Sequence, residues 1–224
     1  MRMRRDWDRR ARENARHYVV TGQHEWTDEE FFQSGQVALE EEVLNDLPNV
    51  CQGRDPKKMR VLEIGCGAGR VTRAFAEFFG EVWAVDISQE MVRQARQAVA
   101  GYPNAHIIRN NGRDLSAVTP NWWGRFGIGE PLVFDFAFSV IVFQHIPSRE
   151  IIENYVREVH RLLRPGGLFK FQVQGSRLKA DPDSWVGESF TEQQAREMAE
   201  RCGFELRYQY GVGDQYYWLW FFKR

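Results

Sequence analysis

The sequence predicts an α/β fold in which helices cover both faces of a mostly parallel sheet, with an antiparallel hairpin at the C-terminal end. From residue 60 onward, short apolar runs alternate with amphipathic stretches, as repeated strand, helix, strand units require. Near the C-terminus, "ELRYQYGV" and "DQYYWLWFFK" are separated only by a short connection that contains Gly211 and Gly213, so these two strands must run antiparallel. The 224 residues are enough for one main domain.

The elements of this core follow one another in a regular order. The first strand is "RVLEIG", followed by the helix "RVTRAFAEFFG", which ends at Gly80, and by the second strand, "EVWAVDI". The next helix, "SQEMVRQARQAVAGYP", is capped by Ser88 and closed by Gly101 and Pro103, and "AHIIRN" is the third strand. "PLVFDFAFSVIVF" supplies a fourth, largely buried strand and "LFKFQVQG" a fifth, with the helix "SREIIENYVREVHRLLRPGG" between them. The helix "TEQQAREMAERCGF" precedes the hairpin.

Residues 1–50 differ in pattern from the core at residues 51–224, and we expect them to form an N-terminal helical cap. Four apolar residues recur at spacings of 4, 4 and 3 on a helix that is otherwise rich in arginine: Trp7, Ala11, Ala15 and Tyr18. An apolar stripe of this kind must pack against another part of the molecule.

The acidic segment that follows, "TDEEFFQSGQVALEEEVLNDLP", predicts two helices. Thr27 is suited to cap the first helix, because its hydroxyl can accept from a free backbone N–H of the first turn. The second helix is expected to start near Ser34 and to end before Pro48.

The charge balance and the cysteines argue against several classes of protein. The formal net charge is −1, so no overall basic field favours nucleic acid or an anionic membrane surface. The three cysteines have neither paired nor metal-ligand spacing, and the five histidines show no metal-site pattern. The longest apolar run, "YYWLWFF", has seven residues, far fewer than a bilayer span needs. We therefore expect a cytoplasmic protein with a small-molecule partner, no nucleic acid, no membrane segment and no required metal.

The stretch "VLEIGCGAGR", residues 61–70, joins a strand to the start of a helix through a glycine turn. Glycines at positions 65, 67 and 69 permit a tight turn and a close approach of a ligand to the backbone. A dinucleotide site has the spacing G-x-G-x-x-G, but the sixth position counted from Gly65 is Arg70. This difference argues against an NAD site.

An acidic residue, Asp86, ends the second strand, 21 residues after Gly65. A carboxylate at this place can accept hydrogen bonds from two ribose hydroxyls, which favours a ligand that contains adenosine. The alternative is that Asp86 only caps the next helix, but Ser88 is already suited to that role.

Four stretches in this order carry a family resemblance: "VLEIGCGAGR", "VDISQEMVRQAR", "NGRDL" and "HRLLRPGG". Together they resemble the class I S-adenosylmethionine-dependent methyltransferases, in the group of bacterial small-molecule enzymes, over about residues 58–224. The resemblance implies a three-layer sandwich around a mostly parallel seven-stranded sheet with an antiparallel last strand. It also implies S-adenosylmethionine as the methyl donor.

The resemblance further implies which residues contact the donor. Glu63 and the loop Gly65, Cys66 and Gly67 border the methionine moiety, Asp86 holds the ribose hydroxyls, and Ile87 packs on the adenine. In "NGRDL", Asp114 accepts from the adenine amino group, while Arg113 and Leu115 present backbone around the ring. Ser139, at the end of the fourth strand, is placed near the reacting methyl group. Carboxylates suit this donor, which has an ammonium group and hydroxyls but no pyrophosphate.

Methyl transfer is an in-line displacement, so positioning of the nucleophile and exclusion of water can supply much of the catalysis. A general base is needed only where the nucleophile carries a proton, and His145 in "VFQHIP" is the candidate by position. The alternative is that His145 only supports the loop after the fourth strand. The loop lacks the Asn/Asp-Pro-Pro-aromatic run typical of enzymes that methylate base amines.

The acceptor site is expected to lie among three segments outside the core motifs. We expect residues 1–35 to form a lid over the donor, with Tyr18 touching it. The insertion "NWWGRFGIGEP" and the stretch "SRLKADPDSWVGESF" are the other two, and their tryptophans are either pocket walls or packing residues: Trp122, Trp123 and Trp185.

The function predicted from these observations is transfer of a methyl group from S-adenosylmethionine to an oxygen or nitrogen atom of a small molecule. A methyltransferase that acts on a protein or RNA is the first alternative. An NAD-type oxidoreductase is the second alternative, and the position of Arg70 argues against it. The acceptor and the oligomeric state are not predicted.

Overall fold

The structure is a computed structural model that describes residues 2–20, 24–119, 132–176 and 182–224. The chain divides into two units, residues 1–109 and residues 110–224. Among the described residues, no helix has both the length and the apolar character needed to cross a membrane.

The first unit contains three parallel strands and five α-helices among its described residues. In chain order these are α1 (Arg2–Val19), α2 (Asp28–Glu42), the short α3 (Leu47–Val50), β1 (Arg60–Ile64), α4 (Arg70–Phe78), β2 (Glu81–Asp86), α5 (Gln89–Ala98) and β3 (Ala105–Arg109). Strand β2 pairs in parallel with both β1 and β3. Nearly every residue of β1 and β2 is buried, as expected for parallel strands covered on both faces.

The second unit contains the remaining strands. Its elements are β4 (Phe134–Ser139), α6 (Arg149–Leu162), β5 (Leu163–Val173), α7 (Glu192–Arg201), β6 (Phe204–Tyr210) and β7 (Tyr217–Lys223). Strands β4 and β5 are parallel, whereas β7 runs antiparallel to both β5 and β6. The predicted C-terminal hairpin is therefore confirmed.

All seven strands belong to one mixed sheet with the order β3-β2-β1-β4-β5-β7-β6. The predicted fold class, a mostly parallel seven-stranded sheet with an antiparallel last strand and N-terminal helices, is confirmed.

Aromatic packing forms the centre of the second unit. Phe169 and Phe171, on the same face of β5, stack with their ring centroids 4.1 Å apart. Phe143, in a turn of 3-10 helix at Phe143–His145, packs on both rings and on Tyr155 of α6. These contacts connect the loop after β4 to the sheet and to α6.

The prediction of two helices between Thr27 and Pro48 is wrong. Helix α2 is continuous through Ser34 and Gly35, and Pro48 lies inside α3 near its start. The hydroxyl of Ser34 donates to the carbonyl of Phe31, which satisfies it within the helix. Gly35 is required by packing, because a Cβ there would lie 2.1 Å from the carbonyl oxygen of Arg70. The small residues therefore mark a close contact between α2 and α4.

Two boundaries in the second unit also differ from the prediction. Strand β4 ends at Ser139, because the chain turns at Ile141, which has a φ of 57°. The "LRPGG" run, residues 163–167, is predicted to end the helix and to precede the fifth strand, but β5 already begins at Leu163. Helix α6 itself ends at Leu162, so the predicted stop is close to its place.

Candidate functional site

The glycine turn follows β1 and is held against the end of β2. The backbone N–H groups of Gly65 and Cys66 both donate to the carbonyl of Val85, at 2.7 and 3.0 Å. Gly67 has a φ of 52°, and a Cβ at this position would lie 2.6 Å from Cγ2 of Val19, the last residue of α1. The end of α1 therefore rests directly on the turn.

Asp86 is joined to the glycine turn by its carboxylate. Its Oδ2 accepts from the N–H of Gly67 at 3.0 Å, and its Oδ1 accepts from the N–H of Ser88 at 2.8 Å. Burial raises the pKa of Asp86 to about 6, while the backbone hydrogen bonds oppose that change. Ser88 caps α5 by accepting from the N–H of Met91 at 3.2 Å, as predicted.

Glu63, on β1, is a buried carboxyl group close to the same turn. Its Oε2 accepts from the hydroxyl of Thr72 at 2.5 Å. Burial raises the pKa of Glu63 to about 7, and the nearby guanidinium of Arg70 opposes that rise. The Nη1 of Arg70 donates to the carbonyl of Ser34 at 2.8 Å, whereas its buried Nε has no hydrogen-bond partner among the described residues.

Cys66 contributes to the turn through its backbone, because its side chain packs in the core with Ala84, Val92 and Ala95. Burial raises the pKa of the Cys66 thiol well above its ordinary value. All three cysteines of the chain are buried and free. A reactive thiol at this turn is therefore not favoured.

The sequence analysis missed Asp8, an acidic residue of α1 that lies beside Asp86. Its Oδ1 accepts from the hydroxyl of Ser88 at 2.7 Å and from the N–H of Glu90 at 3.3 Å. Burial is the largest single influence on the pKa of Asp8 and raises it, but the hydrogen bonds together with the charge of Arg109 outweigh burial, so the pKa is lowered. A sequence signal was present, because Asp8 lies three residues before Ala11, a member of the apolar stripe, and so on the same side of α1.

Tyr18 lies in the last turn of α1, next to Val19. Its hydroxyl donates to Oε2 of Glu13 at 3.2 Å, and its ring packs edge-on against His17. The helix is interrupted before this turn, because Asn14 has φ −166° and ψ 86°. Contact between Tyr18 and the donor stays a prediction.

In the second unit, "NGRDL" forms a polar turn that orders Asp114. Its Oδ1 accepts from Nδ2 of Asn111, from the N–H of Ser116 and from the hydroxyl of Ser116, at 2.5 to 3.0 Å. Burial is the largest single influence on the pKa of Asp114 and raises it, but these bonds and the charge of Arg113 together outweigh burial, so the pKa is lowered. The carbonyl of Arg113 accepts from Nδ2 of Asn154 on α6 at 2.6 Å, and Leu115 is fully buried.

The loop after β4 contains the other predicted residues. Ser139 is buried at the end of the strand and pairs in register with Phe171 of β5. Ile141, two residues later, has the positive φ that β-branched residues rarely adopt. Its N–H donates to Oε1 of Gln172 on β5 at 3.0 Å, which holds the strained turn against the strand.

His145 is the last residue in a series of side-chain hydrogen bonds that starts at this turn. Nε2 of Gln172 donates to Oε1 of Gln144 at 2.6 Å, and Nε2 of Gln144 lies 3.3 Å from Nε2 of His145. On the other side of the ring, Nδ1 lies 2.5 Å from the carbonyl oxygen of Trp185. Trp185, a residue that is 38% exposed, packs its ring on the imidazole with the ring centroids 5.3 Å apart.

Several predicted acceptor residues lie outside the described residues. Trp122, Trp123 and the rest of the insertion "NWWGRFGIGEP" all fall in residues 120–131, and part of "SRLKADPDSWVGESF" falls in residues 177–181. Within the described part of the chain, no group of three or more His, Cys, Asp or Glu side chains is arranged to hold a metal ion. That no metal is required stays a prediction.

Residues 61–167 match the family model described as "Methyltransferase domain". The matched region includes the glycine turn, Asp86, "NGRDL" and the loop after β4. Residues 61–167 are therefore similar to a methyltransferase domain, and the resemblance predicted from the sequence is confirmed.

Two curated relatives and one solved structure are among the similar proteins. A malonyl-[acyl-carrier protein] O-methyltransferase of Salmonella typhimurium is 33% identical over 118 residues, 52% of this chain and 40% of the relative. A ubiquinone biosynthesis O-methyltransferase of Sinorhizobium fredii is 28% identical over 139 residues, 58% of this chain and 50% of the relative. The chain thus spans half or less of these relatives. The magnesium protoporphyrin IX methyltransferase of Synechocystis PCC 6803, crystallised with SAH, shares the fold with a TM-score of 0.67 at 18% identity, covering 99% of this chain and 98% of that one.

Proposed function

We propose that the protein binds S-adenosylmethionine and transfers its methyl group to an oxygen or nitrogen atom of a small molecule. The observation that carries this proposal is the geometry at the glycine turn, inside a matched methyltransferase domain. There the Asp86 carboxylate joins Gly67 to the start of α5, and Glu63 lies buried beside the turn. Two carboxyl groups suit hydroxyls and an ammonium group, whereas a dinucleotide pyrophosphate would be repelled by them.

In the proposed complex, Asp86 accepts from the ribose hydroxyls and Ile87 packs on the adenine. Glu63 holds the ammonium group directly or through water, next to the backbone of Gly65, Cys66 and Gly67. Asp114 accepts from the adenine amino group, with the backbone of Arg113 and Leu115 around the ring. Ser139 lies near the reacting methyl. The bonds of Asp114 to its own turn all end on Oδ1, which supports a role for Oδ2 in binding.

The N-terminal lid over the donor, with Tyr18 as a contact, is also part of the proposal. Two contacts within the first unit support it: Asp8 accepts from the hydroxyl of Ser88, and Val19 packs on Gly67. Both contacts place α1 against residues that would border the donor. The domain boundary near residue 50 and a cytoplasmic location are further proposals that follow from the sequence.

The chemistry needs a nucleophile placed on the axis of the leaving sulfonium, and protection from water. His145 would act as general base only for an acceptor that must lose a proton. Its hydrogen bonds to Gln144 and to the carbonyl of Trp185 support the alternative role, in which it holds the loop. The two curated relatives are both O-methyltransferases, which favours oxygen as the acceptor atom.

Differential thermal stabilisation tests the donor. We expect S-adenosylhomocysteine at about 100 times its Kd to raise stability by about 2.7 kcal/mol, and we expect NAD at the same concentration to have no effect. Stabilisation by NAD without stabilisation by S-adenosylhomocysteine would refute the proposal in favour of an oxidoreductase. Glu205→Gln, on the exposed edge strand β6, is a suitable control variant, because it removes a carboxylate far along the chain from the donor residues.

A second assay tests the acceptor class. The protein is incubated with S-adenosylmethionine labelled in the methyl group and with separate pools of small metabolites, RNA and protein, and the label is followed into each pool. We expect label in the small-molecule pool. Label confined to RNA or protein would replace the small-molecule acceptor with the first alternative, while leaving donor binding intact.

A further inference from the structure

A series of hydrogen bonds connects Ile141, after β4, to His145 through the side chains of Gln172 and Gln144. In this series the orientation of each amide group is fixed by the hydrogen bond before it. The backbone N–H of Ile141 can only donate, so the atom of Gln172 that faces it, at 3.0 Å, must be the carbonyl oxygen. The amide nitrogen of Gln172 therefore points to Gln144 and donates to its Oε1 at 2.6 Å. As a result the amide nitrogen of Gln144 faces Nε2 of His145 at 3.3 Å.

The same reasoning fixes the protonation state of His145. An amide nitrogen can only donate, so Nε2 of His145 must accept and carries no proton. On the other edge of the ring, Nδ1 faces the carbonyl oxygen of Trp185 at 2.5 Å and must donate. Both ends of the series agree on one state, the neutral imidazole with its proton on Nδ1.

Burial makes this arrangement costly to change. Gln144, His145 and Gln172 are 3%, 7% and 1% exposed, so water does not readily replace a lost hydrogen bond. A proton on Nε2 would face the amide nitrogen of Gln144. Turning the Gln144 amide over would then set two amide nitrogens against each other at Gln172, and turning Gln172 would set its nitrogen against the N–H of Ile141.

The series connects two segments that the sequence predicts to lie near the reacting methyl group or the methyl acceptor: the loop after β4 and the segment that contains Trp185. It begins at the strained Ile141 turn, two residues after Ser139. It ends at Trp185, in a segment that pairs with the same loop through the N–H of Gly187 on the carbonyl of Gln144, at 2.7 Å. Strained residues that neighbouring groups hold in place are frequent at functional sites.

We propose that Gln172 and Gln144 are positioning residues that hold the Ile141 turn and a neutral His145 in one arrangement, and that His145 thereby positions Trp185 as a wall of the acceptor site. The role in the acceptor site rests on the proposed methyl transfer, whereas the hydrogen-bonded arrangement does not. In this state Nε2 of His145 already accepts a hydrogen bond from the amide of Gln144. A methyl-acceptor molecule that uses Nε2 as its base must therefore displace that amide.

Ionisable groups also lie on the elements packed around His145. Asp183 accepts from the N–H groups of Trp185 and Val186. Glu188 pairs with Arg149 at 3.5 Å, and Lys170 lies on β5 two residues before Gln172. None of these charges is altered by the substitutions below, so any change in the His145 titration comes from the amides.

The test is a pH titration of the imidazole nitrogens of the full-length protein by NMR with 15N-labelled histidine, using His145→Gln to assign the resonances. In the unsubstituted protein we expect the neutral state with the proton on Nδ1. In Gln172→Leu, Gln144 is no longer held and can offer its oxygen to a protonated Nε2. We therefore expect the pKa of His145 to rise by about one pH unit, a tenfold gain in proton affinity.

The sign of this change separates the proposal from a packing role, because a more apolar surrounding would lower the pKa of a histidine. In Gln144→Leu no acceptor can replace the donor, so the pKa should fall. In the double variant the Gln172 substitution should have no further effect. A proton on Nε2 in the unsubstituted protein, or a pKa that is unchanged or lower in Gln172→Leu, would overturn the proposal.

A second readout tests the position of Trp185. Quenching of its fluorescence by acrylamide, compared with a Trp185→Phe variant to isolate its signal, should increase in Gln172→Leu, while thermal unfolding shows that the chain is folded. Unchanged quenching would remove Trp185 from the proposal. If S-adenosylhomocysteine fails to stabilise the protein although the titrations come out as expected, the proposed methyl transfer fails and the hydrogen-bonded arrangement stands.

Discussion

The glycine turn of the first unit and the loop after β4 in the second unit are organised by different kinds of contact. At the glycine turn, the hydrogen bonds are donated by backbone groups: the carboxylate of Asp86 accepts from the N–H groups of Gly67 and Ser88. In the loop after β4, buried side-chain amides join Ile141 to His145. Under the proposed function, the donor is bound where backbone geometry dominates, whereas the loop proposed to meet the acceptor depends on individual side chains.

Among the substitutions that test this difference, substitution of Gly67 should have the largest effect on stability and on donor binding, because it changes the backbone geometry of the turn. Gly67→Ala would force an alanine to a φ of 52° and place its Cβ 2.6 Å from Val19. We expect a loss of about 2 to 4 kcal/mol of stability and no measurable binding of S-adenosylhomocysteine by calorimetry.

Gly213→Ala is the matched control for that variant. Gly213 has a φ of 84° and no atom within 4 Å of an added Cβ, so it carries the backbone strain without the contact. It should cost only about 1 kcal/mol and leave binding unchanged. If both variants bind equally well, the importance of the turn is refuted. Val19→Ala in the Gly67→Ala background should recover part of the stability, because it removes the overlap.

Removal of the charge at Asp86 should have the next largest effect. Asp86→Asn keeps the shape of the side chain but replaces one acceptor oxygen by a donor that would face an N–H group. We expect a 30-fold to 100-fold weaker affinity for S-adenosylhomocysteine, about 2 to 3 kcal/mol, measured by calorimetry. Glu205→Gln should bind normally, and equal affinities for the two variants would argue against a ribose role for Asp86.

The pH dependence should be moderate and should distinguish binding from folding. The pKa values of Asp86 and Glu63, about 6 and about 7, lie above the ordinary values of these groups. The folded chain therefore binds more protons than the unfolded chain, and the unliganded protein should lose stability as the pH rises from about 4 to about 7. Affinity for S-adenosylhomocysteine should rise over the upper part of that range, because its ammonium group and hydroxyls favour ionised carboxylates.

Glu63→Gln checks which carboxyl group is responsible. In this variant, the stability and the affinity for S-adenosylhomocysteine should no longer change with pH near pH 7. The change near pH 6, which is due to Asp86, should remain. Thermal unfolding and calorimetry at a series of pH values measure the two curves. Stability that increases with pH through this window would contradict the assignment of raised pKa values to these two groups.

Loss of the contact between α1 and α5 should give the smallest effect. Asp8→Ala removes an acceptor for the hydroxyl of Ser88 and the N–H of Glu90, which should cost about 1 kcal/mol of stability. If α1 is a lid, the affinity for S-adenosylhomocysteine should also fall several-fold. Arg5→Ala, at an exposed position of the same helix, should change neither quantity. An effect on stability without any effect on affinity would remove the lid function.

Local patterns predicted most of the fold, and they also named the residues that are proposed to bind the donor. Ser88 was identified as a cap because capping depends on residues three positions apart, and its bond to Met91 is present. The failures have a physical reason as well. Ser34 and Gly35 suggested a break between two helices, but the small residues serve the approach of Arg70, a residue far along the chain. A sequence pattern does not distinguish a helix break from a close helix contact.

The sequence by itself determined the succession of strands and helices along the chain, the glycine turn and the acid that ends β2, because each depends on backbone conformation and on near neighbours. Only the tertiary structure decided that Asp8 joins Ser88, 80 residues away. It also decided that Gln172 joins Ile141, 31 residues away, and that Trp185 joins His145, 40 residues away. Hydrogen bonds between such distant residues form only after the sheet and helices have set the distances, so no local pattern encodes them.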